Sequence, residues 1–184
     1  MSNSSEILHI NDLLNDFAKR DNIDPEFALK LSQIRYSELS KDIISFLIPK
    51  LKSIKLPLSE LFYGFAKGFH KELFRDIFTN AGKFRKSSDP NGGNIYFGPS
   101  DPRRSITVKY KGTAPLNISQ ELNKIFKQLS SDDANPVFTA VRFYQQFVFI
   151  HPFYDANGRI GRLLVSLYLG YHGYAVLWKQ LETE

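Results

Sequence analysis

The 184-residue chain contains no cysteine, which excludes a disulfide framework and any thiolate metal site. That composition suits a reducing cytoplasm, although secreted bacterial proteins can lack cysteine too. No apolar run approaches the about 20 residues needed to span a bilayer. The N-terminal MSNSSEILHINDLL has no basic segment leading into an apolar core, so it does not read as a Sec signal. A cytoplasmic protein with no membrane partner is expected, with delivery as a secreted effector left open. There is no internal repeat and no low-complexity segment. There is also no long block of one charge. The 24 basic and 19 acidic residues leave a net charge of +5, spread too evenly to argue for nucleic-acid binding. A mildly basic surface or a phosphate-rich partner both fit that balance.

Apolar residues, by contrast, are plentiful, at 42% of the chain with 16 Phe. The length suits one domain, or one domain with a small helical appendage. The periodicity is mainly helical. Asp12–Arg20 and Asp24–Arg35 read as short amphipathic helices, the second with Asp24 as cap and Pro25 at its first position. Ser40–Ile48 reads as a third helix, ended by Pro49. Pro57–Phe78 reads as a long one, with Ser59 as N-cap, Gly82 as its stop, and Phe62, Phe65, Phe69 and Leu73 turned to the core. Further on, Asn117–Leu129, Pro136–Ile150 and Gly158–Tyr171 are helical, and the last two are apolar over most of their surface, as central buried helices are. Between Lys83 and Tyr110 the pattern breaks, with dense Gly, Pro, Asn, Ser and Asp. Here Asn94–Phe97 and Ser105–Tyr110 read as two short strands, the second from the alternation of Ile106, Val108 and Tyr110.

Between the two buried helices stands HPFYDANGRIGR, His151–Arg162. Pro152 ends the first helix at about His151, and Asn157-Gly158 opens the second. The backbone N–H groups near Asn157, Gly158 and Arg159 have no intrahelical partner and carry partial positive charge, which suits an anion. Gly158 lets a ligand approach the backbone. Arg159 and Arg162, three apart, share one helix face and can reach further phosphates. Asp155, a lone carboxylate beside such a site, can hold Mg²⁺ whose shell is completed by phosphate oxygens and water. His151 can take a proton from a hydroxyl, and Phe153 anchors the loop. Each residue alone has a plain structural explanation, as cap, turn former or solvated face. In this order they form base, metal ligand, anion cradle and phosphate clamps.

The stretch resembles the signature of the Fic (Fic/Doc, Fido) family, HPFx[DE]GNGRxxR. The segment Leu56–Arg85, ending in AGKFR, resembles the family's long helix and its AGxFR end. GNIYFGP, Gly93–Pro99, falls where the family has a β-hairpin flap. The resemblance covers about Lys41–Trp178. It implies a mainly α fold, a Fic-type helical bundle with a short β-hairpin flap, with residues 1–40 as a helical extension and 41–184 as the Fic domain. It also implies transfer of AMP from ATP to a Ser, Thr or Tyr hydroxyl of a target protein, with release of pyrophosphate. His151 would be the general base and Asp155 the Mg²⁺ ligand. Asn157, Gly158, Arg159 and Arg162 would bind the nucleotide. Ile95, Tyr96 and Phe97 of the flap would align an extended target segment by β-augmentation, or could simply form the packing face of a hairpin.

One position departs from the pattern: Ala156 stands where Gly is usual. A left-handed backbone there would cost about 1–2 kcal/mol. The departure leaves UTP, GTP or a CDP-linked alcohol open as donors, and a nucleotide-binding or interaction module without turnover is the other alternative. Gly158, where the Doc-type kinases carry Lys, favours nucleotidyl over phosphoryl transfer. Many Fic proteins are restrained by a helix with the pattern [ST]xxxE[GN]. Ser2–Glu6 has the spacing but Ile7 follows, and no such pattern precedes Glu184. No self-inhibition is therefore expected, or else restraint by a separate inhibitory protein. His9, His70 and His172 read as structural, Trp178 as packing, and Arg103-Arg104 as a solvated turn.

Overall fold

Apolar residues recurring every three to four positions give the described residues of this chain seven α-helices, and their order decides what surrounds the motif. The computed structural model describes residues 4–54, 57–98, 100–101, 106–107, 110–130 and 133–178. Helix α1 is Ser4–Phe17, α2 Pro25–Asp42, α3 Ile48–Ser53, α4 Leu58–Phe74, α5 Ile118–Phe126, α6 Pro136–Ile150 and α7 Asn157–Tyr171. The core lies where α4, α5, α6 and α7 meet, filled by Phe62, Phe74, Phe126, Phe143, Phe147 and Tyr168, all buried. α1 and α2 pack on each other, and α2 also lies against α4 and α7. Among the described residues no helix is long and apolar enough to cross a membrane.

The mainly helical reading holds, with instructive differences. The helix expected to end at Pro49 does not end there. Residues 25–53 run on as α2, a π-helical turn Ile43–Leu47, and α3. Pro49 sits in the first turn of α3. A proline removes an N–H and crowds the carbonyl four residues back, and the widened π turn just before it gives room for that defect without breaking the helix. At α4, Ser59 lies inside the helix, and Pro57 occupies the cap position with no side-chain bond. The helix stops at Phe74, short of the expected Phe78. α6 has the expected bounds and is capped by Asn135, whose side chain accepts from Phe138 N–H (3.2 Å). It is not buried all round, however: Val137, Phe138 and Val141 are exposed, and Phe149 is only partly covered, by Phe97 and Tyr110 of the flap.

The irregular middle carries the two expected strand regions as antiparallel ribbons. β1 (Tyr96–Phe97) pairs with β4 (Tyr110–Lys111), and β2 (Ser100–Asp101) pairs with β3 (Ile106–Thr107). The expected Val108 and the pair Arg103-Arg104 lie outside the described residues. At the base of this flap Gly93 has φ +68°, and a Cβ there would run into the Lys86 carbonyl and the Pro115 ring. Only glycine fits that turn.

Candidate active site

The motif loop closes on itself. His151 caps α6 in the left-handed region (φ 52°, ψ 59°), its N–H still bonded to the Phe147 carbonyl at 3.1 Å. Phe153 is fully buried and lies flat on the buried His70 ring, with centroids 4.0 Å apart. His70 Nδ1 accepts from Gly82 N–H at 2.9 Å, so its role is structural, as expected. Burial holds its pKa down at about 3. The Asn157 side chain spans the loop: its Oδ1 accepts from Phe153 N–H and its Nδ2 donates to the Phe153 carbonyl, both at 2.9 Å. That amide is therefore engaged within the loop and almost fully buried. In this arrangement an anion would meet backbone N–H groups of the first turn of α7 rather than the Asn157 side chain. Ala156, just before that turn, has φ 60° and ψ 15°. The usual glycine is thus absent at a position whose backbone favours glycine.

The Gly158 position has room for a side chain. A Cβ there would meet only the Tyr144 hydroxyl, at an ordinary 3.6 Å. The protein's own packing does not require glycine at this point, whereas close approach of a ligand would.

The flap side of His151 is built by Arg85, a buried guanidinium that donates only to backbone carbonyls. Its Nε reaches the His151 carbonyl (2.8 Å) and Nη2 reaches those of Thr113 (2.9 Å) and Ile150 (3.4 Å). Its Nη1 donates to Gly93. One side chain thus ties the end of α6 to both ends of the flap. The sequence match through AGKFR contains Arg85 but gave no sign of this role, because the partners are carbonyls that any residue supplies. The His151 ring is held at Nδ1, 3.1 Å from the Val148 carbonyl. A carbonyl can only accept, so Nδ1 carries the proton and Nε2 is the basic nitrogen. Desolvation, reinforced by the nearby Arg85 charge, lowers the His151 pKa to about 4. The imidazole is consequently neutral, and able to accept a proton, through the whole neutral range.

Across the loop, Asp155, Arg159 and Arg162 line a cavity of about 360 Å³ together with Glu6, His9, Leu29, Gln33 and Tyr36. The two arginines share a wall, as their spacing requires. Asp155 Oδ1 accepts from Ala156 N–H (2.6 Å), and Oδ2 pairs with Arg159 (3.2 Å). Arg159 also donates to the buried Ser32 hydroxyl (2.9 Å) and covers the Phe74 ring. Arg162 Nε donates to the Tyr36 hydroxyl at 3.4 Å. Positive charge at a helix N-terminus is thus partly explained without a ligand, by Asp155 and by α2. Among the described residues no group of three His, Asp or Glu is placed to hold a metal ion by itself. A metal at Asp155 would take most of its shell from phosphate and water, as Mg²⁺ does, and the partly exposed carboxylate beside an arginine-lined cavity fits that role.

Two expectations change here. His9, read as structural, stands 4.0 Å from the Asp155 carboxylate and lines the cavity. The expectation of no inhibitory segment rested on Ile7 following Glu6, yet α1 brings Glu6 to the wall of the same cavity as both arginines. Ser32, Gln33 and Tyr36 were missed as well. Their signal was present: after Leu29 the inward face of α2 turns polar at helical spacing. His172 and Trp178 are structural as read, donating to the Ser130 carbonyl (3.0 Å) and the Ser166 hydroxyl (2.8 Å). Of the flap residues, Ile95 pairs through its carbonyl with Gly112 N–H (3.0 Å), Tyr96 is exposed, and Phe97 stacks on His151.

The family model of the Fic/DOC family matches residues 60–169, more than half of the chain. The chain belongs to the Fic/DOC family. Members of this family are generally linked to the transfer of nucleotide monophosphates to proteins. Among solved structures, the fold resembles a Fic domain containing signaling protein from Bacteroides thetaiotaomicron. That likeness has a TM-score of 0.54 at 17% identity and covers 95% of this chain and 61% of the other. A Fic family protein from Desulfovibrio desulfuricans G20 matches with a TM-score of 0.48 at 18% identity, over 97% of this chain and 58% of the other. The chain thus spans about three fifths of the length of either.

Proposed function

We propose that this Fic/DOC protein transfers AMP from ATP to a Ser, Thr or Tyr hydroxyl of a target protein. The observation that carries the proposal is the pairing of two features within one closed loop. His151 is neutral, with Nδ1 protonated and Nε2 basic, and the first turns of α7 start beside a cavity lined by Asp155, Arg159 and Arg162. The target oxygen forms the new bond to the α-phosphorus as the bond to the bridging oxygen of the leaving pyrophosphate breaks. The hydroxyl proton passes to His151 Nε2. Backbone N–H groups of Asn157, Gly158 and Arg159 face the charge on the phosphates, and Arg162, with Arg159 once released from Asp155, clamps the outer ones. Mg²⁺, when bound at Asp155, supplies neutralisation of phosphate charge. The flap pairs its edge with an extended target segment.

A restrained state is favoured by the same geometry. Glu6 and His9 of α1 stand in the wall of the cavity where outer phosphates would lie. A carboxylate there competes with phosphate for the same arginines. Displacing α1, by a partner or by mutation, is then the route to full activity. Mass spectrometry of lysate proteins exposed to wild type and to His151→Ala tests the proposal. Adenylyl adducts that require His151 are expected. Adducts of uridylyl, guanylyl or phosphocholine mass would assign another donor, and no His151-dependent adduct with either wild type or a Glu6→Gln variant would contradict transfer.

A further inference from the structure

The proposed base is covered by a residue from the flap. The Phe97 ring lies over the His151 imidazole with centroids 4.0 Å apart and planes 18° from parallel. It is braced in turn by Tyr110 of β4 (5.9 Å) and Phe149 of α6 (6.4 Å), which meet each other edge to face at 5.4 Å. Phe97 is only partly buried and Tyr96 beside it is exposed. This aromatic group is therefore separate from the main core, and what it packs on is the imidazole.

We propose that Phe97 is a positioning residue: its ring clamps the His151 imidazole face-on, excludes water from that face and fixes the direction of Nε2. The reasoning starts from the tethers. The bond from Nδ1 to Val148 holds one edge of the imidazole but leaves the ring free to swing about that edge. A flat stack on its face removes that freedom. Gly112, just after β4, lies close behind His151: a Cβ built on it would stand 3.3 Å from the His151 Cβ, so only glycine leaves room there. The β1 side of the flap thus stacks on this histidine, and the chain leaving β4 passes close behind it. The consequence is a coupling: a flap that moves or orders on binding a target segment sets the base at the same time. This inference rests on His151 acting as the general base, but the geometry it describes is measurable without any reaction.

A phenyl face can also attract an imidazolium, which would raise the pKa. Burial is the largest influence here and lowers it, assisted by the charges of Arg85 and His9 and opposed by the Val148 carbonyl and Asp155. Removing the ring should therefore admit water and let the histidine titrate closer to its ordinary 6.5.

The test is nitrogen-detected NMR of the His151 ring in the unliganded full chain, for wild type, Phe97→Ala, Phe97→Trp and Tyr110→Ala. Wild type and Phe97→Trp should show a single tautomer protonated at Nδ1. In Phe97→Ala the tautomers should mix and the pKa should rise by about one unit or more. Tyr110→Ala removes a brace without touching the imidazole and should move the pKa less. In transfer assays at saturating target, Phe97→Ala should lower kcat by about ten- to a hundredfold with KM for ATP unchanged, and Phe97→Trp should restore it. An unchanged tautomer and pKa in Phe97→Ala, or an equal change in Tyr110→Ala, would overturn the proposal. If transfer itself is never observed, the NMR result still decides the positioning role.

Discussion

On its flap side the motif is held by a single buried guanidinium that reaches four carbonyls, of His151, Gly93, Thr113 and Ile150. On its α1–α2 side the described contacts are side chain to side chain, among them Arg159 to Ser32 at 2.9 Å, Arg162 to Tyr36 at 3.4 Å and His9 to Asp155 at 4.0 Å. The first set links groups that must not move if His151 is to stay aimed. The second set links charged groups that a bound polyphosphate would claim for itself. The difference teaches which wall is frame and which is occupant. Arg85 ties together the ends of the flap and of α6, while α1 lines the cavity that the proposed function gives to the outer phosphates.

The largest effect should come from the base. His151→Ala should lower the transfer rate by about 10²–10⁴-fold with little change in melting temperature, because the imidazole lies outside the main core. A loss of stability matching the loss of rate would make His151 part of the frame instead. Next comes Arg85. Arg85→Leu strands buried carbonyls, each costing about 1–3 kcal/mol, and should lower the urea midpoint strongly. If it unfolds like a surface substitution, the frame side is not held as described. On the other wall the sign reverses. Glu6→Gln should raise transfer by about tenfold, equivalent to about 1.4 kcal/mol, and tighten ATP binding without loss of stability. A fall in activity would make Glu6 part of the machinery rather than a competitor.

Acid should loosen the frame side first. His70 and His151 are held near 3 and 4 against an ordinary 6.5, so between 6.5 and about 4 the unfolded chain binds protons that the folded one does not. Stability is then full above 6.5 and falls as the pH drops through that window. Urea midpoints from pH 7.5 to 4.5 check this, and His70→Gln should flatten the slope. The smallest effect belongs to Ala156→Gly. Relief of the left-handed backbone gains about 1–2 kcal/mol. Loss of a buried methyl costs about 0.8 kcal/mol, and glycine's added chain entropy costs about 0.5–1 kcal/mol. The net change should stay within about 1 kcal/mol, and chemical denaturation would show it.

Much of this was legible in residues whose chemistry is local. The bounds of α6, the opening of α7 at Asn157 and the anchor at Phe153 follow from proline, capping and apolar spacing, and the structure places them as read. The burial of α6 was misjudged because periodicity shows that a face is apolar without showing that anything covers it, as exposed Phe138 and Val141 illustrate. Pro49 misled because the π turn before it absorbs a defect that ordinarily stops a helix. Arg85 was invisible because its partners are main-chain atoms. The polar face of α2 was there to be read, but its meeting with the motif, like that of Glu6 and His9 of α1, comes only through packing.

The central claim is that this loop directs the α-phosphorus, with its nucleoside, to a hydroxyl while His151 takes the proton. The direct measurement supplies ATP labelled either at the α- or at the γ-phosphate to the Glu6→Gln variant, with and without His151→Ala, together with lysate proteins. Label from the α-position appearing on protein, lost with His151→Ala, is the expected result. Label arriving from the γ-position, or α-label undiminished without His151, would contradict it.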